Sequence, residues 1–197
     1  MERSTYRIGL TGNIATGKST VAEMLVELGA AHIDADRVAH AVMAPDGPAY
    51  PAVVAAFGPE ILKPNGEIDR RALGTRVFAN PQALARLEAL VHPPTIVEVN
   101  RRIAKSDAPV VVVEAIKLLE SGMAEHYDAI WVTTCPRDEQ IRRLMTYRGL
   151  DRAAAMARVD AQPPQAEKLS RADVIIDTHG PLEKTRTQVE AAWAAIR

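Results

Sequence analysis

From position 12 the chain reads Gly12-Asn13-Ile14-Ala15-Thr16-Gly17-Lys18-Ser19, with Thr20 following. This fits G-x-x-x-x-G-K-[ST] without a gap, and it lies between an expected strand and an expected helix. Glycines at this spacing let the backbone curl until consecutive N–H groups point inward, toward phosphate oxygens. The helix that opens near Lys18 adds its positive end to the same place. Lys18 is placed to reach the β- and γ-phosphates of a nucleoside triphosphate, and the Ser19 hydroxyl suits magnesium. The nine residues 12–20 thus point to ATP with Mg2+, and leave the acceptor of any transferred phosphate open.

A second group of chemically able residues is Asp34-Ala35-Asp36, at the end of the next expected strand. In a parallel sheet the carboxyl ends of the strands open on one crevice. Carboxylates there can take the proton of an attacking hydroxyl or orient metal-bound water. Capping of the following helix would also account for one of them. A third group is basic: Arg142, Arg143, Arg148, Arg152, Arg158, Lys168 and Arg171 fall within one stretch of an otherwise neutral chain. Most such runs are solvated helix faces. Phosphoryl transfer, however, needs cations that close over the γ-phosphate, often from a mobile helical lid. Arg148, next to a hinge candidate at Gly149, is the favoured lid cation, with Arg142 after it.

The elements that must position these groups follow from hydrophobic periodicity. Short strands are expected at 6–10, 31–34, 110–113, 129–133 and 174–176. Val110 to Val113, four valines in a row, mark a parallel strand buried on both faces. Helices are expected at 18–28, 37–43, 137–147 and 182–196. Between 45 and 81 the chain is punctuated by Pro and Gly, with helical patterns only at 50–57 and 69–78, and reads as a lobe. Residues 81–105 read as helix on either side of a break at His92-Pro93-Pro94. Residues 151–171 read as charged helix interrupted at Pro163-Pro164. Strands alternating with helices imply an α/β fold with a parallel sheet and right-handed crossovers.

The chain has 197 residues, enough for one compact α/β domain with a small inserted lobe. Lys plus Arg number 24 and Asp plus Glu 25, so no net field draws the chain to nucleic acid or membrane, and any anion must be held by local charges. The lone Cys135 rules out an internal disulfide, fits a reducing compartment, and reads as a small buried residue at a strand end. No apolar run approaches the roughly 18 residues that span a bilayer, and no signal-peptide pattern opens the chain, so a cytoplasmic protein is expected. Nothing in these features fixes an oligomeric state.

Taken together the motifs resemble those of the dephospho-coenzyme A kinase family. The likeness runs from Ile8 to about Ala191. It includes I-G-L-T-G-N-I-A-T-G-K-S-T-V at 8–21, I-D-A-D at 33–36, G-E-I-D-R-R-A-L at 66–73, Val77-Phe78 and L-V-H-P at 90–93. It continues with L-E-S-G at 119–122, R-x-x-x-Q at Arg158 and Gln162, K-L-x-x-A-D at 168–173 and Gln188-Val189. The resemblance implies a three-layer P-loop NTPase fold in one domain over 1–197. Its parts would be a nucleotide-binding core (1–44, 107–147 and 172–197), a helical acceptor-binding lobe at about 45–106, and a lid at about 148–171. It implies transfer of the ATP γ-phosphate to the ribose 3′-hydroxyl of dephospho-CoA, the last step of coenzyme A biosynthesis. By position Asp36 resembles the general base, Asp34 its partner near the metal, and His92-Pro93 the acceptor-side turn.

Two positions depart from the family pattern. Ile116-Lys117-Leu118-Leu119-Glu120 stands where the family usually has P-L-L-F-E, and Thr178 stands where it usually has an Asn near the adenine. A lysine at 117 is poorly explained by packing, since burying its charge unpaired is costly. It is expected either to snorkel to water or to act as a point charge toward the acceptor's phosphates. Another small-molecule P-loop kinase, for a nucleoside monophosphate or a sugar, is the nearest alternative, and a nucleotide-dependent switch a remoter one. The segments at 66–73 and 92–93 argue against the first, and Asp36 with a basic lid against the second.

Overall fold

The computed structural model describes residues 5–196; residues 1–4 and 197, the ends of the expected 1–197 span, lie outside the described residues. All five expected strands form: β1 (Tyr6–Thr11), β2 (Ala31–Asp34), β3 (Val110–Glu114), β4 (Ala129–Thr134) and β5 (Val174–Asp177). They make one sheet in the order β2-β3-β1-β4-β5, with β1 in the middle. The β1–β3, β1–β4 and β4–β5 pairs are all parallel. Every residue of β3 is buried, as its run of valines requires.

Side chains alternate across the pleat, so every second residue of a strand shares a face. Ile8 and Leu10 of β1, Val110 and Val112 of β3, and Ala129 and Trp131 of β4 belong to one core with Ile176 of β5. Helix α1 (Lys18–Glu27) adds Val21, Ala22, Met24 and Leu25 to it, and the last helix (Leu182–Ala195) adds Val189 and Trp193. Trp131 has no exposed surface and is the largest fully buried side chain of the described residues. Cys135, just past β4, is buried as expected.

The chain falls into two compact units, one of residues up to Ile33 with Ser106 onward, the other Asp34–Lys105. The second unit holds α2 (Ala35–Val42), α3 (Tyr50–Phe57), α4 (Arg70–Phe78) and α5 (Pro81–Ala104). Helix α5 is its spine, and α2, α3 and α4 all pack on it. The sequence reading began this lobe at 45; in the structure α2 packs with it. The first unit also holds α6 (Arg137–Arg148), α7 (Arg152–Asp160), α8 (Gln165–Leu169) and α9 (Leu182–Ala195). The interruption expected at Pro163-Pro164 is the gap between α7 and α8. Among the described residues no helix is long and apolar enough to cross a membrane.

One expectation is corrected here. His92-Pro93-Pro94 does not break the helix: α5 runs unbroken for 24 residues, with both prolines inside it, so His92-Pro93 is helix interior rather than a turn. Each proline removes a donor and crowds the carbonyl four residues earlier. The helix survives because Val91, Thr95, Val99 and Ile103 bury one stripe along it, and the Thr95 hydroxyl donates to the Val91 carbonyl at 2.7 Å. Ala89, whose carbonyl Pro93 leaves without its usual partner, is exposed, where water can serve it. Replacing the exposed Pro93 by alanine should therefore raise stability. About 3 kcal/mol of helix cost is relieved, less up to about 1 kcal/mol of proline's restriction of the unfolded chain. Denaturant titration checks this; an unchanged or lower midpoint at equal slope would show that the ring is needed for packing.

Candidate active site

Strand β1 ends at Thr11 and α1 begins at Lys18, so residues 12–17 must turn the chain while keeping its N–H groups inward. Two glycines make this possible. At Gly12 (φ 152°) a Cβ would lie 2.6 Å from the Thr133 carbonyl oxygen and from the Thr16 hydroxyl. At Gly17, which precedes α1 with φ 84°, a side chain would press on Thr178. Ala15 also has positive φ, 58°, at a cost of about 1 kcal/mol or more for a residue with a Cβ. The Thr16 hydroxyl donates to the Asn13 carbonyl at 2.8 Å and lies 2.8 Å from the Thr133 hydroxyl, tying the loop to the end of β4. Lys18 is only 8 % exposed, and its Nζ donates to the carbonyls of Gly12 (3.0 Å) and Asn13 (3.1 Å).

The Ser19 hydroxyl, at the exposed edge of the loop, donates to Glu114 Oε1 at 3.0 Å. Glu114 closes β3 opposite Leu10 in the parallel register, and His32 Nε2 lies 3.2 Å from its other oxygen. Burial pushes its pKa up, but hydrogen bonds with His32 and Ser19 and the charge of Lys18 carry it below the ordinary carboxylate value. Glu114 is thus an ionised acid beside a hydroxyl, at the end of the strand next to the phosphate loop. No group of three or more His, Cys, Asp or Glu among the described residues could hold a metal. A magnesium ion needs no such group: it takes one or two protein oxygens and fills the rest of its octahedron with phosphate oxygens and water. Ser19 and Glu114 fit that demand. Glu114 escaped the sequence reading as a site residue; the available signal was an acid ending a wholly apolar central strand.

A second set of contacts grips the loop from the C-terminal part of the chain. Arg143 of α6 donates to the Ala15 carbonyl (3.1 Å), to the Thr178 hydroxyl (3.0 Å) and to the Thr178 carbonyl (2.6 Å). The Thr178 hydroxyl also reaches the Thr16 carbonyl at 2.9 Å. Beyond α7, Gln162 Oε1 accepts the Ile14 N–H at 2.6 Å, and Asn13 Nδ2 donates to the Pro163 carbonyl at 3.0 Å. Arg142, the second candidate after Arg148, instead lies exposed and doubly bonded to Glu139, both contacts 2.7 Å. Arg148 is exposed at the end of α6, before Gly149 in left-handed conformation (φ 63°). Lys117 is exposed past β3, between buried neighbours on its C-terminal side and Ile116.

The acids stand in the other unit. Asp34 accepts the Arg37 N–H at 2.9 Å and so caps α2, and Asp36 is exposed in its first turn. One turn on is His40. Burial and the positive charge of Arg70 hold it below the usual imidazole pKa, against the opposing pull of Asp36 and Asp34. His92 is half-buried within α5. The residues 12–20 are therefore brought together with Glu114, Arg143 and Gln162, while Asp34, Asp36 and His92 belong to the helical unit.

Residues 6–184 match the family described as dephospho-CoA kinase. A protein of that name from Geobacter metallireducens is 49 % identical over 189 residues, 94 % of each chain. A crystal structure from Thermus thermophilus has a TM-score of 0.86 at 33 % identity, and covers 98 % of both chains. The dephospho-CoA kinase of Campylobacter jejuni has a TM-score of 0.70 at 30 % identity, again over 98 % of both. The fold, the phosphate loop and the relatives agree: this chain belongs to the dephospho-CoA kinase family.

Proposed function

We propose that the chain transfers the γ-phosphate of ATP to the ribose 3′-hydroxyl of dephospho-CoA, giving coenzyme A and ADP. The observation that carries the reading is the complete phosphate loop, with a nearly buried Lys18 held by the loop's own carbonyls, in a chain of this family. The acceptor oxygen forms a bond to the γ-phosphorus while the bond to the β,γ-bridging oxygen breaks. Asp36 accepts the hydroxyl proton. The N–H groups of residues 12–20 hold the phosphates, and Lys18 offsets charge on the β- and γ-oxygens. Magnesium, when bound, neutralises phosphate charge and fixes its geometry. Ser19 and Glu114 would hold it, with Asp34 as their partner near the metal. Arg148 closes over the γ-phosphate from a lid at about 148–171, Arg142 and Lys117 attract the acceptor's phosphates, and His92 lies on the acceptor side of a lobe at about 45–106. The enzyme works in the cytoplasm.

Incubation with ATP, magnesium and a panel of acceptors tests the whole reading. Coenzyme A and ADP should form together with dephospho-CoA, and nucleoside monophosphates or sugars should yield neither product above background. Acceptor-independent ADP, or none, would sink it. Lys18→Met keeps the stem without the ammonium and should lower kcat about a hundred- to a thousandfold. Asp36→Asn should lower kcat by roughly a hundred- to ten-thousandfold and leave the ATP dissociation constant within about twofold. A weakened ATP affinity with normal single-turnover chemistry would move Asp36 to the metal site. Glu114→Gln should raise the magnesium concentration for half-maximal rate about tenfold, with the acceptor KM unmoved. An unchanged magnesium requirement would leave Glu114 a purely structural partner of Ser19.

A further inference from the structure

The Glu114 carboxylate is held at both of its oxygens. Ser19 donates its hydroxyl to Oε1 at 3.0 Å, and His32 Nε2 lies 3.2 Å from Oε2. Only 11 % of the Glu114 side chain is exposed, so water screens these contacts little. With its proton on Nε2 the imidazole donates to Oε2 whether it is neutral or charged. His32 lies on β2, the strand beside β3 in the sheet, and both residues belong to the first unit. It stands just before the I-D-A-D stretch at 33–36 and falls in none of the motifs of the phosphate chemistry. As a residue it is exposed, so core packing does not account for where its ring lies.

A glutamate side chain has several rotatable bonds, and a single hydrogen bond leaves its carboxylate room to swing. Such freedom matters beside magnesium, which demands near-octahedral geometry at about 2.0–2.1 Å. Carboxylates that meet a metal are commonly hydrogen-bonded in turn. Losing that outer partner costs roughly ten- to a hundredfold in metal affinity. A carboxylate offers about four acceptor sites, so Ser19 and His32 leave it capacity for a metal or its water. We propose that His32 is a positioning residue for magnesium: it fixes the Glu114 carboxylate so that this group and Ser19 meet the metal together. The inference rests on the magnesium reading of Ser19 and Glu114 given above. In this scheme His32 touches neither metal nor nucleotide and moves no proton. It acts through Glu114 alone.

The test compares His32→Ala, His32→Gln and Glu114→Gln with the natural enzyme at one pH, after thermal unfolding has verified each fold. Calorimetry gives the affinity for a non-hydrolysable ATP analogue with saturating magnesium, and again with excess chelator, no acceptor being present. The ratio of the two affinities reads the metal contact without any turnover. His32→Ala should shrink that ratio about tenfold and leave the metal-free affinity within about twofold. His32→Gln, whose carboxamide N–H takes the place of the Nε2 donor, should recover most of it. Adding His32→Ala to Glu114→Gln should cost nothing further, since the imidazole acts only through that carboxylate. In steady state the alanine variant should need about tenfold more magnesium for half-maximal rate, with the acceptor KM unmoved. A full magnesium effect in His32→Ala, beside a reduced one in Glu114→Gln, would overturn the positioning role and keep the magnesium reading. So would a loss in His32→Gln as large as in His32→Ala, or an equal loss of metal-free affinity. A full magnesium effect in Glu114→Gln would overturn both.

Discussion

The Lys18 ammonium is a cation almost out of water, and much of the first unit is arranged around it. A lone buried ammonium costs several kcal/mol, so it must be matched at close range. The carbonyls of Gly12 and Asn13 turn toward it, which bends the loop. The charge also bears on Glu114, which in turn holds Ser19 and His32. This requires β3 to lie directly beside β1, because only the neighbouring strand can deliver an acid to the loop's edge. The strand order β2-β3-β1-β4-β5 satisfies it, and β4 on the other side supplies Thr133 to the Thr16 hydroxyl. Sheet topology and site chemistry are thus one constraint seen at two scales.

A curled loop with two glycines and a left-handed alanine would otherwise lose shape easily, since each of those residues has other conformations open to it. The Arg143–Thr178 pair resists this. One guanidinium spans the Ala15 carbonyl and both oxygens of Thr178, and Thr178 in turn reaches Thr16. Threonine at 178, where the resemblance leads one to expect asparagine, therefore has its hydroxyl engaged in bracing the loop. Glu139 completes the brace: its carboxylate lies 2.8 Å from Arg143 Nε and is held at about 2 in pKa, chiefly by its hydrogen bond to Arg142. That pair is little exposed at Arg143 and Glu139, so water screens it less than the outer Arg142 contact.

The sheet was legible in the sequence because buried parallel strands are short apolar runs, and five of them stood between helical patterns. The phosphate loop was legible because its letters are dictated by backbone geometry, which tolerates few alternatives. Helix α5 was not, since Pro93-Pro94 is a local signal and the stripe Val91, Thr95, Val99, Ile103 is a tertiary one; packing outweighed the breaker. Glu114 was overlooked because an acid after Val110 to Val113 marks a strand end as readily as a metal edge. Arg143 was hidden among seven basic residues. Only the fold separates it from Arg142, its neighbour in sequence, by turning one toward the loop and leaving the other to solvent.

The near-neutral charge of the chain explains why such separation matters. With 24 basic and 25 acidic residues, most cations can be cancelled locally, and several are: Arg137 by Asp160, Arg186 by Glu27, and Lys168 by Glu120. A cancelled cation attracts an anion weakly beyond the screening length of about 8 Å. Recognition of a polyanionic nucleotide then depends on positive groups fixed in the right place, as Lys18 is by the Gly12 and Asn13 carbonyls. In a strongly basic protein such residues would be lost in a general field that draws in every anion. Here the absence of that field leaves each local cation to act on the group within its reach, so selectivity comes from where the charge is placed rather than from how much there is.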